Sequence, residues 1–200
     1  MYNLNKDLVV VASKYFNVNQ IKKLNQSGYG HFGENRVNDL LKKQKELTEL
    51  SIKYHFIGHL QTNKVKQVIN QIDYLHSLDS IKLAAEIQKH RQTEIKCFIQ
   101  LNLLEDVNKF GILAEELASF LTEIKKYDKI KVVGLMTIGQ QGNLDKTNNV
   151  FNQLNQLKIK HSLSGLSIGM SDDYLLALKY QPTFIRIGSL LKEELENGNI

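Results

Sequence analysis

The feature that most constrains the fold is an alternation, repeated along the chain, of short apolar runs with amphipathic segments. The runs are rich in β-branched and aromatic residues, as strands buried in a parallel sheet are. The eight predicted strands begin at Leu8, His31, Tyr54, Tyr74, Ile95, Lys131, Ser164 and Thr183. Between them, hydrophobic residues recur at helical spacing. Eight β/α units with short connections predict a (β/α)8 barrel of the TIM type. An open doubly wound sheet is the alternative, because periodicity does not show closure.

Length and composition agree with one domain spanning residues 1–200. The chain has 200 residues, of which 42% are hydrophobic and 24% charged, as is ordinary for a globular protein with a sizeable core. No apolar run is long enough to span a membrane, and the polar start from Met1 to Asp7 is unlike a signal peptide. The single cysteine, Cys97, permits no internal disulfide. We therefore expect a cytoplasmic protein without a membrane partner, with Cys97 in the core.

The formal net charge of +5 at pH 7 raises the question of an anionic partner. Basic residues are scattered among carboxylates, as in the segment 42–46, and this distribution is typical of solvated helix faces. The charge therefore predicts no nucleic-acid partner, although an anion- or RNA-binding barrel stays open as one alternative.

The first predicted strand is followed directly by a lysine, Lys14. In barrels of this type the active site is built from the loops at the C-terminal ends of the strands. A lysine there can keep its stem in apolar surroundings, and desolvation favours the neutral amine that a Schiff-base lysine needs. Lys14 is therefore a candidate nucleophile. The alternative is a solvated lysine that merely ends a strand.

The loops after strands seven and eight have the composition of a phosphate site. Segments 167–172 and 186–189 combine glycine, serine and arginine. Glycines let backbone N–H groups approach an anion, hydroxyls donate hydrogen bonds, and a guanidinium neutralises charge. Barrels often bind phosphate between these two strands. An imine-forming lysine on strand one, facing a phosphate site, suits pyridoxal 5′-phosphate (PLP).

Several motifs, in this order along the chain, resemble those of the pyridoxal phosphate homeostasis protein family, also called the proline synthetase co-transcribed homologues. They are Ala12–Lys14, His31–Asn35, His55–Lys64, His76–Asp79, Gly134–Thr137, Ser167–Asp173 and Arg186–Gly188. The resemblance runs from about Leu8 to Gly188. It implies the barrel of the alanine racemase N-terminal domain, fold type III of the PLP proteins, here without a second domain.

The resemblance also implies roles for individual residues, Lys14 carrying PLP as an aldimine. The implied cofactor-binding positions are Lys14, Asn35, Met170, Ser171, Arg186, Gly188 and Ser189. The last four are implied phosphate contacts, and we expect Arg186 to serve the phosphate rather than the structure. No catalytic residue and no metal ligand is implied.

The chain departs from the family pattern in places. It starts almost at the first strand, so the helix that usually precedes this strand is expected to be missing. His59 stands where a small residue or proline is common, and Ser189 replaces a usual threonine while keeping a hydroxyl. Asp172 and Asp173 are predicted to cap a short helix rather than to face a phosphate.

Two further pairs of residues have plain alternatives. His55 and His59 are four residues apart, but a strand and Gly58 lie between them, which argues against a helical zinc pair. Lys64 and Lys109 are either a basic rim around the cofactor mouth or merely solvated loop residues.

Three functions from different classes remain open. We favour a non-catalytic PLP-binding protein of vitamin B6 homeostasis, a monomer that passes its cofactor to PLP-dependent apoenzymes. The alternative is a PLP-dependent amino-acid racemase, which needs two positioned proton-transfer groups, whereas the sequence offers one clear candidate, Lys14. The third, an anion- or RNA-binding barrel, leaves Lys14 unexplained.

Overall fold

The computed structural model describes residues 4–104 and 110–200, which contain eight parallel strands. The strands are β1 (Val9–Ala12), β2 (His31–Glu34), β3 (Lys53–Phe56), β4 (Tyr74–Leu78), β5 (Ile95–Gln100), β6 (Ile130–Met136), β7 (Gly165–Ser167) and β8 (Ile185–Ile187). The helices are α1 (Val18–Gln26), α2 (Val37–Glu46), α3 (Val65–Val68), α4 (Ile81–His90), α5 (Leu117–Ile124), α6 (Leu144–Lys160), α7 (Tyr174–Leu178) and α8 (Ser189–Glu196). Strand and helix alternate as the sequence predicts.

The sheet closes into a barrel between its first and last strands. β1 pairs in parallel with β2 on one side and with β8 on the other. The remaining seam, between β7 and β8, is joined by a parallel bridge from Ser167 to Phe184. Backbone hydrogen bonds continue the seam, from Ile168 N–H to Phe184 O at 3.1 Å and from Arg186 N–H to Gly169 O at 2.8 Å. The predicted (β/α)8 barrel is confirmed, and the open-sheet alternative is wrong.

The two faces of β1 explain its unbroken apolar sequence. Val9 and Val11 pack outward into the core between the strands and the surrounding helices, while Val10 packs inward with Phe98, Met136 and Phe184. All three valines are 0% exposed. A strand buried on both faces has no solvent side on which polar residues would alternate.

Polar side chains cap the starts of α1 and α4. Asn17 accepts a hydrogen bond from Gln20 N–H at 2.9 Å and completes a capping box at the start of α1. Ser80 caps α4. The prediction that Asp172 caps the next short helix is wrong. Asp173 stands at the N-cap position of α7, and its carboxylate accepts from Met170 N–H instead of capping the helix.

Cys97 lies on β5 and is fully buried, so the prediction of a core residue is confirmed. Burial raises the pKa of its thiol well above the ordinary value, which keeps it protonated and unreactive. Within residues 4–104 and 110–200, none of the helices has the length and apolar character needed to cross a membrane.

Candidate functional site

The candidate site lies at the C-terminal mouth of the barrel, where β1 ends. A single 3-10 turn, Ser13–Tyr15, follows the strand and carries Lys14. The lysine side chain is exposed, and its Nζ lies 4.8 Å from the centre of the Tyr15 ring. The sequence analysis placed Lys14 correctly at the mouth. Its prediction that apolar residues surround the lysine stem is wrong, because the side chain is exposed. The amine is accessible because it faces solvent.

The turn that carries Lys14 is held from below by a buried ion pair. Glu34, at the end of β2, and Lys43, on α2, bring Oε1 and Nζ to 2.5 Å, with only 4% and 18% of their side chains exposed. Lys43 Nζ also donates to Ser13 O at 2.5 Å, and Ser13 Oγ lies 2.9 Å from Glu34 Oε1. The backbone just before Lys14 is therefore tied to two charged groups. Sequence reasoning missed this arrangement, because the position of Glu34 is equally compatible with an ordinary turn residue and that of Lys43 with a solvated helix face.

On one side of Lys14, the end of β8 and the start of α8 bring together residues of the predicted phosphate site, which we call the anion cradle. The Ser171 hydroxyl lies 3.4 Å from the backbone N–H groups of both Gly188 and Leu190. These N–H groups belong to the N-terminus of a helix, where the peptide dipoles favour negative charge. Ser189 is exposed at the first position of the same helix. The structure thus brings together three of the four predicted phosphate contacts.

Gly188 connects this cradle to the lysine turn. A side chain at this position would place its Cβ 2.3 Å from the Tyr15 ring and 3.2 Å from the Ala12 Cβ. The glycine lets the Tyr15 ring lie directly against the backbone, so a side chain at this position would displace the ring. Lys14, its neighbour Tyr15 and the anion cradle therefore form one continuous surface, as the pairing of β1 with β8 requires.

Met170 begins the loop that carries Ser171. It is 38% exposed, and its backbone N–H donates to Asp173 Oδ1 at 2.5 Å. Burial raises the pKa of the Asp173 carboxyl, while its hydrogen bond from Met170 and the charge of Arg186 act in the opposite direction. The loop is thus tied down next to the cradle by a carboxylate that accepts from its backbone.

On the other side of Lys14, Asn35 follows the end of β2. Ala12 and Gly33 are register partners on β1 and β2, so Asn35 and Lys14 leave neighbouring strands at the same edge of the barrel. Asn35 is half-buried. Gly58, after β3, lets the two loops touch, because a Cβ there would lie 2.4 Å from Asn35 O. The structure therefore places Lys14 between Asn35 and the anion cradle.

Arg186 lies deeper than the cradle, on the inward face of β8, and is 6% exposed. Its NH1 donates to Ser167 O at 2.8 Å and Ser167 Oγ at 2.7 Å, and its NH2 donates to Thr137 O at 3.1 Å. Burial lowers the pKa of the guanidinium to about 10, and the nearby Asp173 opposes this shift. Arg186 stays the cation at neutral pH, held by protein acceptors at the ends of β6 and β7. The expectation that it has no structural role is wrong, and phosphate contact stays a prediction.

The opposite part of the mouth is built differently. The His59 ring stacks on Phe110 with centroids 3.6 Å apart, and its Nδ1 lies 3.0 Å from Asp79 Oδ2. His55, four residues earlier, is buried inside the barrel, so the structure separates the two histidines. Lys64 lines a cleft with Asn35 and His59. Lys109 lies outside the described residues.

Within 4–104 and 110–200, no group of three or more His, Cys, Asp and Glu side chains could hold a metal ion. The mouth presents an accessible primary amine and a group of N–H and hydroxyl donors suited to a phosphate.

Comparison with known proteins defines the class of protein to which this chain belongs. Residues 12–192 match the family model of the alanine racemase N-terminal domain. The structure of PipY from Synechococcus elongatus without PLP has a TM-score of 0.86 and 31% identity to this chain, and the match covers 94% of each chain. The PipY structure with PLP bound has a TM-score of 0.84 and 30% identity, covering 94% of this chain and 93% of PipY.

The particular family follows from the curated relatives. The pyridoxal phosphate homeostasis protein of Aquifex aeolicus is 35% identical over 190 residues, which is 90% of this chain and 83% of that protein. The chain therefore belongs to the pyridoxal phosphate homeostasis proteins, within the alanine racemase N-terminal domain class. The resemblance stated from its motifs is confirmed.

Proposed function

We propose that this chain binds PLP at the mouth of the barrel, holds it covalently on Lys14 and serves vitamin B6 homeostasis as a non-catalytic carrier. The observation that carries the proposal is an exposed lysine amine on the turn whose Tyr15 ring lies against Gly188, one of the backbone N–H donors of the anion cradle. When bound, the cofactor supplies an aldehyde for the amine and a phosphate for the donors. Its presence in the related PipY structure supports the assignment.

Each residue around the mouth has a part in this proposal. Lys14 supplies the amine, and its turn is kept in place by the buried pair of Glu34 and Lys43. The phosphate is bound by backbone N–H groups at the start of α8 together with the hydroxyls of Ser171 and Ser189. Asn35 and Met170 would be further contacts of the cofactor, and the buried Arg186 would supply positive charge beneath it.

A carrier role fits the exposure of the site better than catalysis does. Lys14 is exposed and Tyr15 beside it is 42% exposed, so water reaches the reacting amine. A racemase that uses PLP needs a site that excludes water and a second proton-transfer group opposite the lysine, because protons must be exchanged on both faces of a planar carbanion. Two acidic groups near the mouth are already engaged, Glu34 by Lys43 and Asp79 by His59. We propose no turnover, with PLP-dependent apoenzymes as acceptors of the cofactor.

The setting is also proposed. A monomer in the cytoplasm suits a carrier that hands a small molecule to many acceptors. The reducing conditions there suit a chain whose single cysteine is a buried, unreactive thiol.

Borohydride reduction of the protein incubated with PLP, followed by peptide mass mapping, tests the covalent assignment. We expect the pyridoxyl group on Lys14, no label in the Lys14→Ala variant, and undiminished labelling of Lys14 in the matched Lys64→Ala control. Labelling that is concentrated on another lysine, and that persists in Lys14→Ala, contradicts the proposal.

Hydrogen–deuterium exchange at the α-carbon of alanine, serine and proline tests the absence of turnover. The rate with the PLP-loaded protein should equal that of free PLP. Stereospecific exchange that saturates with substrate and disappears in Lys14→Ala would replace the carrier by a racemase or a related enzyme.

A further inference from the structure

The interior of the barrel contains a chain of polar side chains that runs from one end to the other. His31, His55 and His76 lie on the adjacent strands β2, β3 and β4. His31 Nδ1 lies 2.8 Å from His55 Nε2, and His55 Nδ1 lies 2.8 Å from His76 Nε2. His76 Nδ1 then lies 2.8 Å from Ser167 Oγ, which accepts from Arg186 at 2.7 Å. Four consecutive contacts of hydrogen-bond length thus connect β2 to β8.

This hydrogen-bond chain extends along the axis of the barrel as well as across it. His31 is the first residue of β2 and half-buried, whereas Ser167 is the last residue of β7 and fully buried. Its lower end therefore lies at the N-terminal face, opposite the mouth. Its upper end lies beneath the mouth, where Arg186 also donates to Thr137 O.

Aromatic rings isolate the chain from water. Tyr74 stacks on His55 with centroids 4.4 Å apart and planes 4° apart, and Phe184 packs edge-on against His55 at 5.0 Å. Phe98 lies 4.9 Å from His76. This burial holds the pKa values of His55 and His76 well below the ordinary histidine value, and neighbouring positive groups act in the same direction. Both imidazoles are therefore neutral at physiological pH.

Arg186 and the Ser167 hydroxyl together set the direction of the hydrogen bonds between these side chains. A guanidinium only donates, so Ser167 Oγ accepts from Arg186. Among the described residues, His76 Nδ1 is the acceptor within hydrogen-bond distance of the Ser167 hydroxyl, so we assign the hydroxyl hydrogen to this contact. A neutral imidazole that accepts at Nδ1 carries its proton on Nε2. His76 therefore donates from Nε2 to His55, and His55 donates from Nε2 to His31. Each of the three histidines is assigned the same tautomer, with hydrogen on Nε2.

We propose that His31, His55, His76 and Ser167 are positioning residues, forming a hydrogen-bond chain of one polarity that fixes the Arg186 guanidinium beneath the mouth for the ligand bound there. The identity of that ligand as PLP rests on the proposed function, whereas the polarity of the chain does not. With its hydrogen donated to His76 Nδ1, Ser167 Oγ is held as an acceptor for Arg186. Without the hydrogen bond to His76, the hydroxyl can rotate and the guanidinium loses an oriented acceptor.

The polarity is tested on the full-length protein without added ligand, by two-bond proton–nitrogen NMR spectra of the imidazole rings at pH 7. Gln variants of His59, His90 and His161 identify the signals of these three rings. The remaining signals then belong to His31, His55 and His76, so that no buried histidine has to be replaced. We expect His31, His55 and His76 as neutral tautomers with hydrogen on Nε2. A Nδ1–H tautomer or an imidazolium at His55 or His76 overturns the proposal.

The link to the mouth is tested with Ser167→Ala against Ser164→Ala, which removes a hydroxyl that donates to Val133 O at the other end of the same strand region. We expect Ser167→Ala to give mixed tautomers at His76 and to weaken PLP binding by roughly 3- to 10-fold, the effect of one hydrogen bond. Ser164→Ala should leave both unchanged. Equal PLP affinity in the two variants overturns the positioning role. If the unmodified protein takes up no PLP, the proposed function fails. The histidine tautomers still show whether the hydrogen-bond chain has the proposed polarity.

Discussion

Ionisable side chains inside the barrel differ sharply from those at its mouth. His55 and His76 are fully buried, neutral and hydrogen-bonded on both ring nitrogens, whereas Lys14 is exposed, with its Nζ 4.8 Å from the centre of the Tyr15 ring. The buried groups serve the architecture, because a polar group without water must satisfy its hydrogen bonds within the protein. The reactive group gives up such contacts and stays available. The interior is thus held together by its own hydrogen bonds, whereas the mouth keeps an amine accessible to a ligand.

Between the two regions lies the ion pair of Glu34 and Lys43. It is more buried than a surface pair and touches the backbone of Ser13, one residue before Lys14. Within the described part of the chain, Glu34 Oε2 is buried without a hydrogen-bond partner. At this boundary between the interior and the mouth, hydrogen bonding is therefore less complete than in the interior. Substitutions at the ion pair test the difference between the two regions most directly.

Acid is expected to damage the interior first, with the largest effect. The ordinary histidine value is 6.5, and burial holds the native pKa values of His55 and His76 well below it. As pH falls below about 6.5, the unfolded chain binds protons at these two positions that the native protein does not bind, so stability falls. The slope reaches up to about 2.7 kcal/mol per pH unit for two protons, until the native pKa values are reached.

Other charged groups modify this loss. Asp7, Asp73, Lys53 and Lys96 act on His31 at the lower end of the chain, and Arg186 opposes protonation of His76. Asp79 and Asp173, whose pKa values are raised by burial, favour the native state as pH falls and blunt the loss. Urea unfolding at a series of pH values measures the slope. Constant stability from pH 7 to about 5 would contradict the account of neutral, buried histidines.

Glu34→Gln is expected to have the second-largest effect, at the boundary. Removing the carboxylate leaves Lys43 without its partner in a mostly buried position, and we expect a loss of about 2–3 kcal/mol of stability. The matched control is Glu49→Gln, which breaks an exposed pair with Lys22 and should change stability little. Chemical denaturation of the two variants gives the comparison. Equal effects would show that the boundary behaves like the surface.

Gly188→Ala is expected to have the smallest effect on stability and to act at the mouth. The new Cβ would overlap the Tyr15 ring, but this ring is half-exposed and can swing away. We expect a stability loss of less than about 1 kcal/mol and weaker PLP binding, because the surface that joins Lys14 to the cradle changes. Gly30→Ala is the control, since nothing lies within 4 Å of the added methyl group. A large loss of stability with unchanged PLP binding would make Gly188 a core position.

Much of the fold was predictable from local patterns. The apolar run before Lys14, the β-branched strands and the capping residue Asn17 are each encoded within a few neighbouring residues, and each is present in the structure. The place of Lys14 at the mouth followed as well, because the end of a strand in a barrel has a fixed position. The predicted capping role of Asp172 and Asp173 was wrong, since helix ends depend on contacts that periodicity does not describe.

What the sequence by itself determined is the barrel, the position of Lys14 and the set of small and polar residues after β7 and β8. Only the tertiary structure decided that Lys14 is exposed, that Arg186 is held by Ser167 and Thr137, and that Glu34 pairs with Lys43. It also decided the histidine chain, whose members are separated by 24, 21 and 91 residues along the sequence to Ser167. The physical reason is that strand and helix patterns are local, whereas the partners of an inward-facing side chain depend on strand register and on closure of the sheet.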